Sequence, residues 1–431
     1  MIIKYSWCRK RKVEADFSGG AVTSDAGALL LREADRRLGL SKAVARELPD
    51  IRRQKSCEHS LSELVRQRIF SIALGYEDLN DQETLRKDPC IQTAVGRDAE
   101  LASASTLCRF ENRMDKSVAW LVHKVMVEQF IAFFDTPPKE LILDFDATDD
   151  RVHGEQEGRF FHGFYNHYCF LPLYVFCGEQ LLVSYLRPSN QDGAKHSGAI
   201  LRLLVARLRR AWPGVKIIFR ADSGFCRWRT LAWCERNDVN YVVGIAKNQR
   251  LIDAGSLLIA SAERQFIETK EKQRLFSSFQ YAAATWGRTR KIVIKAEHNN
   301  YGSNPRFIVT NLKGGSQRLY DKLYCARGEM ENRIKECQLQ MFADRTSCHK
   351  WWPNQFRLLL SSLAYMLVES IRRLGLAGTE LARAQVQTIR LKLFKIGAVV
   401  LLNTKRIRLK MSSYYPYKEL FAQVAVRLRV T

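Results

Sequence analysis

The stretch "LILDFDAT", residues 141–148, predicts a β-strand that begins apolar and ends acidic. Successive side chains of a strand point to opposite faces, so Asp144 and Asp146 share one face. A buried carboxylate has to be paired with a cation or bind a metal ion. Two aspartates on this face therefore predict a functional site. The alternative is a strand end followed by a solvated acidic loop, which Asp149 and Asp150 would continue.

The segments that follow predict a mixed α/β sheet. "FYNHYCFLPLYVFCG" and "LLVSYLRP" are predicted strands, and after them "VKIIFRADSGF" and "YVVGIAK" are strands that alternate with helices. Asp222 lies at the carboxyl end of "VKIIFRADSGF", the edge at which open α/β sheets bind ligands. The alternative is that Asp222 caps the N-terminus of the following helix.

The segment "YCARGEMENRIKE" predicts a helix that runs from Tyr324 to Arg345. One stripe of this helix, roughly 60° wide, carries five polar side chains. They are Tyr324, Arg327, Glu331, Lys335 and Gln338. The alternative is a solvated helix with a Glu331–Lys335 salt bridge, which would contribute only a few tenths of a kcal/mol.

Carboxylates from the two strand ends and from this helix can converge on hard divalent cations. Mg²⁺ prefers oxygen ligands and keeps substrate phosphate oxygens in its coordination shell. Two such ions about 3.5–4 Å apart activate the attacking oxygen and stabilise the leaving oxygen in phosphodiester transfer. The basic side chains of the helix would then hold the DNA phosphates beside the scissile one.

The composition predicts a polyanionic partner. The 431 residues include 69 Lys and Arg against 45 Asp and Glu, a formal net charge of +24. Such an excess disfavours a compact state unless a polyanion neutralises part of it, and nucleic acid is the commonest such partner. Neither an apolar run of about 18 residues nor a signal peptide is apparent, so we expect no membrane partner and a cytoplasmic, nucleoid-associated location. The eleven cysteines show no metal-binding spacing and are expected to be reduced.

A second candidate DNA contact lies in residues 1–135, which are predicted to be mostly helical. Within them, "ASASTLCRFENRM" resembles the second helix of a helix-turn-helix. Arg109 lies on this helix, and recognition helices carry such side chains to reach base edges. The alternative is a plain helix in a bundle.

As a set, these motifs resemble those of the DDE transposases of bacterial insertion sequences, in the group defined by a Y-R-E-K helix. "DFSGGAVTSDAGALLLR", "STLCRFEN", "LDFDATDD", "RADSGF" and "YCARGEMENRIKE" resemble in particular the insertion-sequence 1380 family, over essentially the whole chain. The resemblance implies an α/β fold with four segments. These are a helical N-terminal DNA-binding region (1–135), a ribonuclease H-like mixed-sheet catalytic core (136–247 and 318–375), a β-rich insertion before the last catalytic helix (248–317) and a basic C-terminal region (376–431).

The resemblance also assigns catalytic residues. The Asp-x-Thr pattern of the family falls on Asp146 and Thr148. Asp146, Asp222 and Glu331 are therefore the implied ligands of two Mg²⁺ or Mn²⁺ ions. Asp144 stays open as the alternative to Asp146, because it lies on the same face of the same strand.

The DNA contacts follow from the same resemblance. Tyr324 and Arg327 are implied to contact DNA phosphates. The signature lysine seven residues after Glu331 is replaced by Gln338, and Lys335 can supply its charge from one turn earlier.

A tryptophan in the insertion is a further candidate. In this superfamily an insertion tryptophan can stack on a base that is flipped out near the cleaved end, a contact that tolerates any sequence. Trp286, flanked by Arg288 and Arg290, is the candidate here. The alternative is a core or hairpin tryptophan.

The implied function is a transposase that binds the terminal inverted repeats of its own element, cleaves the strands and joins the 3′-OH ends to target DNA. Its implied partner is double-stranded DNA, held in a synaptic multimer that is most simply a dimer, with or without a hairpin intermediate at the ends. Two alternatives are a catalytically silent, domesticated DNA-binding protein and a nuclease of the same fold that cuts without strand transfer.

Overall fold

The computed structural model describes residues 1–429. The chain packs into two compact units, one of Met1–Val125 with the chain from Glu336 onward and one of Met126–Lys335. These units divide the chain by packing, and the four functional segments expected from the sequence stay a prediction. None of the helices in residues 1–429 combines the length and apolar character that a membrane span needs.

Both units contain helices. In chain order the α-helices of the described chain are α1 Ala28–Leu38, α2 Leu40–Glu47, α3 Leu61–Leu74, α4 Gln82–Leu85, α5 Pro89–Val95, α6 Ala104–Asn112, α7 Lys116–Ala132, α8 Ser197–Ala211, α9 Trp228–Arg236, α10 Gln249–Ala254, α11 Ser256–Thr269, α12 Gly328–Lys335, α13 Trp351–Ser370, α14 Val386–Ile389 and α15 Lys418–Leu428. Helical segments of π geometry are Arg318–Tyr324, Glu336–Gln340, Ile371–Gly375 and Arg390–Phe394, and 3-10 turns are Gln54–Ser56, Ser223–Phe225 and Cys325–Arg327.

The strands form four sheets within the same residues. In chain order they are β1 Ile3–Cys8, β2 Arg11–Ala15, β3 Val22–Thr23, β4 Glu140–Ala147, β5 Asp150–Arg151, β6 Phe160–His162, β7 His167–Phe170, β8 Leu173–Cys177, β9 Gln180–Tyr185, β10 Lys216–Ala221, β11 Asn240–Ile245, β12 Gln273–Tyr281, β13 Arg290–Asn299, β14 Gly302–Ser303, β15 Arg306–Thr310, β16 Ala398–Asn403 and β17 Arg406–Met411.

The unit Met126–Lys335 is built on one mixed sheet. Its strands lie in the order β12-β13-β15-β11-β10-β4-β8-β9, and β14 pairs with β13. Both β4 and β11 run parallel to β10, whereas β8 pairs antiparallel with β4 and with β9. Helix α9 connects the parallel neighbours β10 and β11, as a parallel pair requires, and α8 connects the edge strand β9 to β10. The prediction of a mixed α/β sheet is confirmed.

The two faces of β4 differ as the alternation of its side chains predicts. Leu141, Leu143 and Phe145 are buried in the main apolar core of this unit. Phe145 packs edge-to-face on Phe219 of β10, with ring centroids 5.1 Å apart. Close packing of this face fixes the position of the strand. The opposite face, which carries the two aspartates, is thereby held in a defined place.

The segment 248–317 extends this sheet. Its strands β12, β13 and β15 are antiparallel, and β15 pairs with β11, so they continue the sheet that carries β4 and β10. The helices α10 and α11 precede them and were not predicted. Leu257 and Ile267 of α11 are exposed. The helix therefore lacks a clean apolar stripe for sequence periodicity to detect.

The other unit is mainly helical. Helix α3 packs on α13, which is buried over most of its length. A capping box of Ser60 and Glu63 starts α3, because each side chain bonds the backbone N–H of the other residue. The expectation of a mostly helical N-terminal region omits the hairpin β1–β2 and strand β3, which pairs with β16. Short exposed strands of this kind bury no apolar face, so their sequence carries little signal.

Candidate catalytic site

Two aspartates meet at the carboxyl ends of neighbouring parallel strands. In the register of β4 and β10, Phe145 lies opposite Ala221, so the next residues, Asp146 and Asp222, are neighbours. Adjacent strands lie about 4.8 Å apart, which places the two side chains beside each other. This is the edge of an open α/β sheet at which ligands bind.

Asp222 also has a structural role. Its backbone is extended, and its Oδ1 accepts a hydrogen bond from the backbone N–H of Gly224 at 2.8 Å. The side chain thereby caps the turn Ser223–Phe225, whereas α9 begins only at Trp228. The capping alternative therefore applies to the turn, and the cap uses one of the two carboxylate oxygens.

The segment that carries the predicted polar stripe is not a uniform α-helix. Arg318–Tyr324 is π-helical and Cys325–Arg327 is a 3-10 turn, and only α12, which follows, is α-helical. Single π-helical turns occur frequently at functional sites. They also change the angle per residue, so the five polar side chains do not form one straight row.

Gly244 makes room for Tyr324 at this edge of the sheet. A Cβ atom at Gly244 of β11 would lie 2.6 Å from the Tyr324 hydroxyl oxygen and 2.7 Å from the backbone nitrogen of Ser223. Tyr324 therefore packs against the strand ends beside Asp222. Burial raises the pKa of the Tyr324 hydroxyl, Arg327 opposes this rise and Asp222 adds to it.

Arg327 bridges two of the predicted metal ligands. Its Nη1 lies 3.0 Å from Oδ2 of Asp146, and its Nη2 lies 2.8 Å from Oε1 of Glu331. Glu331 is exposed, whereas Arg327 is partly buried. Glu331 thus pairs with Arg327, one turn toward the N-terminus, rather than with Lys335, its partner in the solvated-helix alternative.

The carboxyl group of Asp146 has a perturbed pKa. Burial raises the pKa of Asp146 from its ordinary 3.8 to about 6; Arg327 opposes the rise, and Asp222 and Glu331 add to it. Burial acts to lower the pKa of Arg327, but the charges of Asp146 and Glu331 raise it above its ordinary value. Such perturbed groups cluster at functional sites. The site concentrates negative charge that a single guanidinium only partly neutralises.

Asp144 lies one pleat earlier on β4 and is engaged elsewhere. Its two oxygens accept hydrogen bonds from Nε and Nη2 of Arg220 on β10, the latter at 2.6 Å. Asp144 is 2% exposed and Arg220 is 7% exposed. Burial raises the pKa of Asp144, and Arg220 opposes that rise. The two residues form a buried ion pair, while Asp146 reaches the edge of the sheet.

Side chains that the sequence reasoning left unassigned lie near these carboxylates. His167 Nε2 is 2.7 Å from Oδ2 of Asp149, and the rings of Tyr165 and His167 lie 6.1 Å apart. Burial raises the pKa of Tyr165 to about 12, with contributions from Asp149, Asp146 and Asp222. The available signal was the run "FHGFYNHYCF", rich in histidine and aromatic residues, of which only a strand was predicted.

Two other predicted contacts are Lys335 and Trp286. Lys335 is exposed at the end of α12. Trp286 lies between β12 and β13, with its ring 5.7 Å from the ring of Tyr281 and the guanidinium of Arg290 4.9 Å from its centroid. Such packing is expected of a tryptophan that stabilises a hairpin, which is the alternative to a DNA contact for Trp286.

Arg109 lines a basic cleft in the other unit. The cleft has a volume of about 400 Å³. Its polar lining consists of Arg52, Ser56, Cys57, Glu58, His59, Arg86, Ser103, Thr106, Arg109 and Arg113. Ser103 caps α6, and Arg109 is exposed and donates from Nη2 to the Thr106 hydroxyl at 3.1 Å. Several guanidinium groups around a helix N-terminus suit a phosphate group.

The carboxylates fit divalent cations by their chemistry. Asp146, Asp222 and Glu331 offer the oxygen donors that Mg²⁺ and Mn²⁺ prefer. In residues 1–429, however, no three Asp, Glu, His or Cys side chains stand in an arrangement that could hold a metal ion. Arg327 instead places its charge between Asp146 and Glu331. Joint ligation of a cation would require Arg327 to release them.

One family model matches nearly the whole chain. It describes the transposase DDE domain group 1 and covers residues 5–431. Among solved structures, the chain is similar to a piggyBac transposase in a synaptic complex with hairpin DNA, seen by cryo-electron microscopy. The similarity has a TM-score of 0.43 at 12% identity and covers 86% of this chain and 79% of that chain. A search of curated proteins gave no match.

Proposed function

Since the chain belongs to the family of transposase DDE domains of group 1 and is a DDE transposase, we propose that it binds the terminal inverted repeats of its insertion sequence. It then cleaves DNA strands at these ends and joins the 3′-OH ends to target DNA. One observation carries the proposal. Asp146 and Asp222 are neighbours at the ends of β4 and β10, and Arg327 links Asp146 to Glu331.

The mixed sheet of Met126–Lys335 is, in this proposal, the ribonuclease H-like core of the enzyme. The order β9-β8-β4-β10-β11 supports this assignment, because three antiparallel neighbours are followed by two parallel strands. The remaining strands of segment 248–317 are the insertion that precedes the glutamate. The sequence motifs support membership of the insertion-sequence 1380 family.

Asp146, Asp222 and Glu331 would hold two Mg²⁺ or Mn²⁺ ions. When bound, such ions activate the attacking oxygen and stabilise the leaving oxygen of phosphodiester transfer. Asp144 is not proposed as a ligand, because Arg220 engages both of its oxygens in a buried pair. Its contribution is to hold β4 against β10.

Arg327 is the residue that must change partners. Before DNA binds, its guanidinium neutralises Asp146 and Glu331. A DNA phosphate offers the guanidinium an equally good bidentate acceptor. Transfer of Arg327 to that phosphate frees both carboxylates and fixes the scissile strand beside them. Tyr324 and Lys335 would contact neighbouring phosphates.

The proposed partner is double-stranded DNA, at the element ends and at the target. The basic cleft around Arg109 would seat a phosphate of the end sequence beside α6. Two copies of the chain are the simplest assembly that holds both ends together. A protein with this partner would reside at the nucleoid.

Replacing Glu331 with glutamine tests the function. The change removes one anionic ligand and leaves Arg327 paired with Asp146. Strand cleavage is expected to fall by at least about 10³-fold, the scale seen when an essential catalytic group is lost. Binding of an end duplex should stay within about twofold, because the charge lies outside the proposed end-binding cleft. The measurements are a cleavage assay in Mg²⁺ and a gel-shift titration.

The matched control is Glu329→Gln on the same helix, at an exposed position outside the proposed site. It should cleave like the wild type. Near-normal cleavage by Glu331→Gln would exclude Glu331 from the site.

A plasmid whose marker is flanked by the element ends separates the candidate functions. Excision with integration supports a transposase. Cutting without integration supports a nuclease, and the absence of both supports a silent DNA-binding protein.

A further inference from the structure

The N-terminal hairpin β1–β2 is almost entirely exposed to solvent. Its register pairs Ile3 with Ala15 and Cys8 with Arg11. Every residue of the two strands is exposed except Ile3, which is partly buried. An isolated two-stranded hairpin is at best marginally stable in water. Its presence as a formed ribbon therefore points to a partner that covers it.

The ribbon carries two large exposed rings, and the register shifts between Tyr5 and Cys8. Tyr5 is 58% exposed and Trp7 is 63% exposed, and Val13 lies across from Tyr5 in the register. Alternation along the strand places Lys4 on the opposite face. The Lys12 ammonium lies 5.8 Å from the centroid of the Trp7 ring. The hairpin thus combines large exposed rings with cations.

The charge of the hairpin selects the partner. Residues 3–15 contain one acidic residue, Glu14. They contain five basic residues: Lys4, Arg9, Lys10, Arg11 and Lys12. Among the residues that the structure describes, none of these five has a carboxylate within salt-bridge distance. Four of them are consecutive at the turn, so they repel one another unless an external anion lies between them.

We propose that the hairpin β1–β2 is a DNA-binding arm that enters the major groove, with Arg9–Lys12 on the phosphates. The major groove, about 12 Å wide, admits a two-stranded ribbon as readily as a helix. Exposed rings at its face can contact thymine methyl groups there, while the basic turn reaches the sugar-phosphate backbone. The inference rests on the proposed function, from which it takes DNA as the substrate.

The test is the salt dependence of DNA binding. The variant Lys10→Gln/Arg11→Gln/Lys12→Gln removes three cations from the turn. Fluorescence anisotropy gives its affinity for a duplex of the terminal repeat and for a scrambled duplex over a range of NaCl concentrations. Each lost phosphate contact reduces the slope of log K against log[salt] by about 0.9. The expected reduction is therefore about 2–3, with at least about tenfold weaker binding near 0.1 M salt.

The matched control is Arg264→Gln/Lys270→Gln/Lys313→Gln, which removes three exposed cations from the other unit. It should leave the slope unchanged. Both variants should melt like the wild type, because the altered side chains are exposed. A hairpin variant whose slope matches that of the control overturns the proposal. So does a hairpin variant that instead changes the sedimentation of the DNA-free protein, since that result assigns the hairpin to contact between copies.

Binding of the element ends and DNA contact by the hairpin are tested separately. If the wild type does not prefer the terminal repeat over the scrambled duplex, binding of the element ends is wrong. The slope on the scrambled duplex still tests the arm in that case. If the preference and cleavage are present and the slope is unchanged, only the arm is wrong.

Discussion

Asp146→Asn is expected to abolish strand cleavage while raising the stability of the metal-free protein. Burial raises the pKa of Asp146 to about 6, with the side chain 14% exposed. The folded state therefore holds this proton more tightly than the unfolded state, whose carboxyl titrates near 3.9. Stability contributed by the protonated group is present below about pH 4 and is lost as the pH rises to about 6. An amide, which carries no charge, avoids that loss.

The gain should be about 1–3 kcal/mol at pH 8 and should vanish near pH 4, since a shift of two pKa units corresponds to about 3 kcal/mol at most. Urea denaturation in EDTA at both pH values measures it. Cleavage in Mg²⁺ should fall by at least about 10³-fold. Glu329→Gln, an exposed carboxylate on α12, should change neither quantity. A variant that is destabilised at pH 8, or that still cleaves, would show that Asp146 is a structural residue.

Asp144→Asn is expected to destabilise the fold instead. The change leaves the guanidinium of Arg220, 7% exposed, without its bidentate partner. Loss of one member of a buried ion pair costs about 3–5 kcal/mol. The strand β4 would also loosen from β10, and Arg220 additionally donates to the carbonyl of Leu323 at 2.6 Å, beside Tyr324. Urea denaturation at pH 7 measures the loss.

A second substitution separates the effect of Asp144 on stability from its effect on strand cleavage. In Asp144→Asn/Arg220→Met the unpaired charge is gone, and replacing a buried pair by neutral residues is often close to neutral for stability. Most of the lost free energy of unfolding should return, together with cleavage. If Asp144→Asn keeps its stability but loses cleavage, Asp144 and not Asp146 is the first ligand.

The sheet and the position of its acidic edge could be predicted from the sequence. The alternation of "LILDFDAT" predicts which side chains of β4 face the core, and Leu143 and Phe145 are fully buried there. Asp222 was placed correctly at the end of a strand, because the apolar run before it ends abruptly in "RADSGF". These are local signals, and neither depends on distant contacts.

The surroundings of Asp144 could not be predicted locally. They depend on Arg220, which is brought beside Asp144 by the parallel register of β4 and β10. Register between strands separated by a crossover helix is not encoded in one short motif. The helix stripe failed for a similar reason. The stripe is predicted for an α-helix, in which successive residues are rotated by about 100°. The segment before α12 is instead π-helical and 3-10.

In the solvated-helix alternative Glu331 pairs with Lys335, whereas its partner in the structure is Arg327. Both spacings are i,i+4, so spacing alone gave no preference between them. Arg327 is the partner because it is also drawn to the charge of Asp146, which lies on β4. The hairpin β1–β2 was missed because neither of its faces is buried.

We propose that Asp146, Asp222 and Glu331 together bind divalent cations. Electron paramagnetic resonance of free Mn²⁺, titrated into the protein bound to an uncleaved end duplex, measures this binding directly. The wild type should bind two Mn²⁺ per chain, and Asp146→Asn/Asp222→Asn/Glu331→Gln should bind none in the same concentration range. Equal Mn²⁺ binding by the wild type and this triple variant would contradict the account.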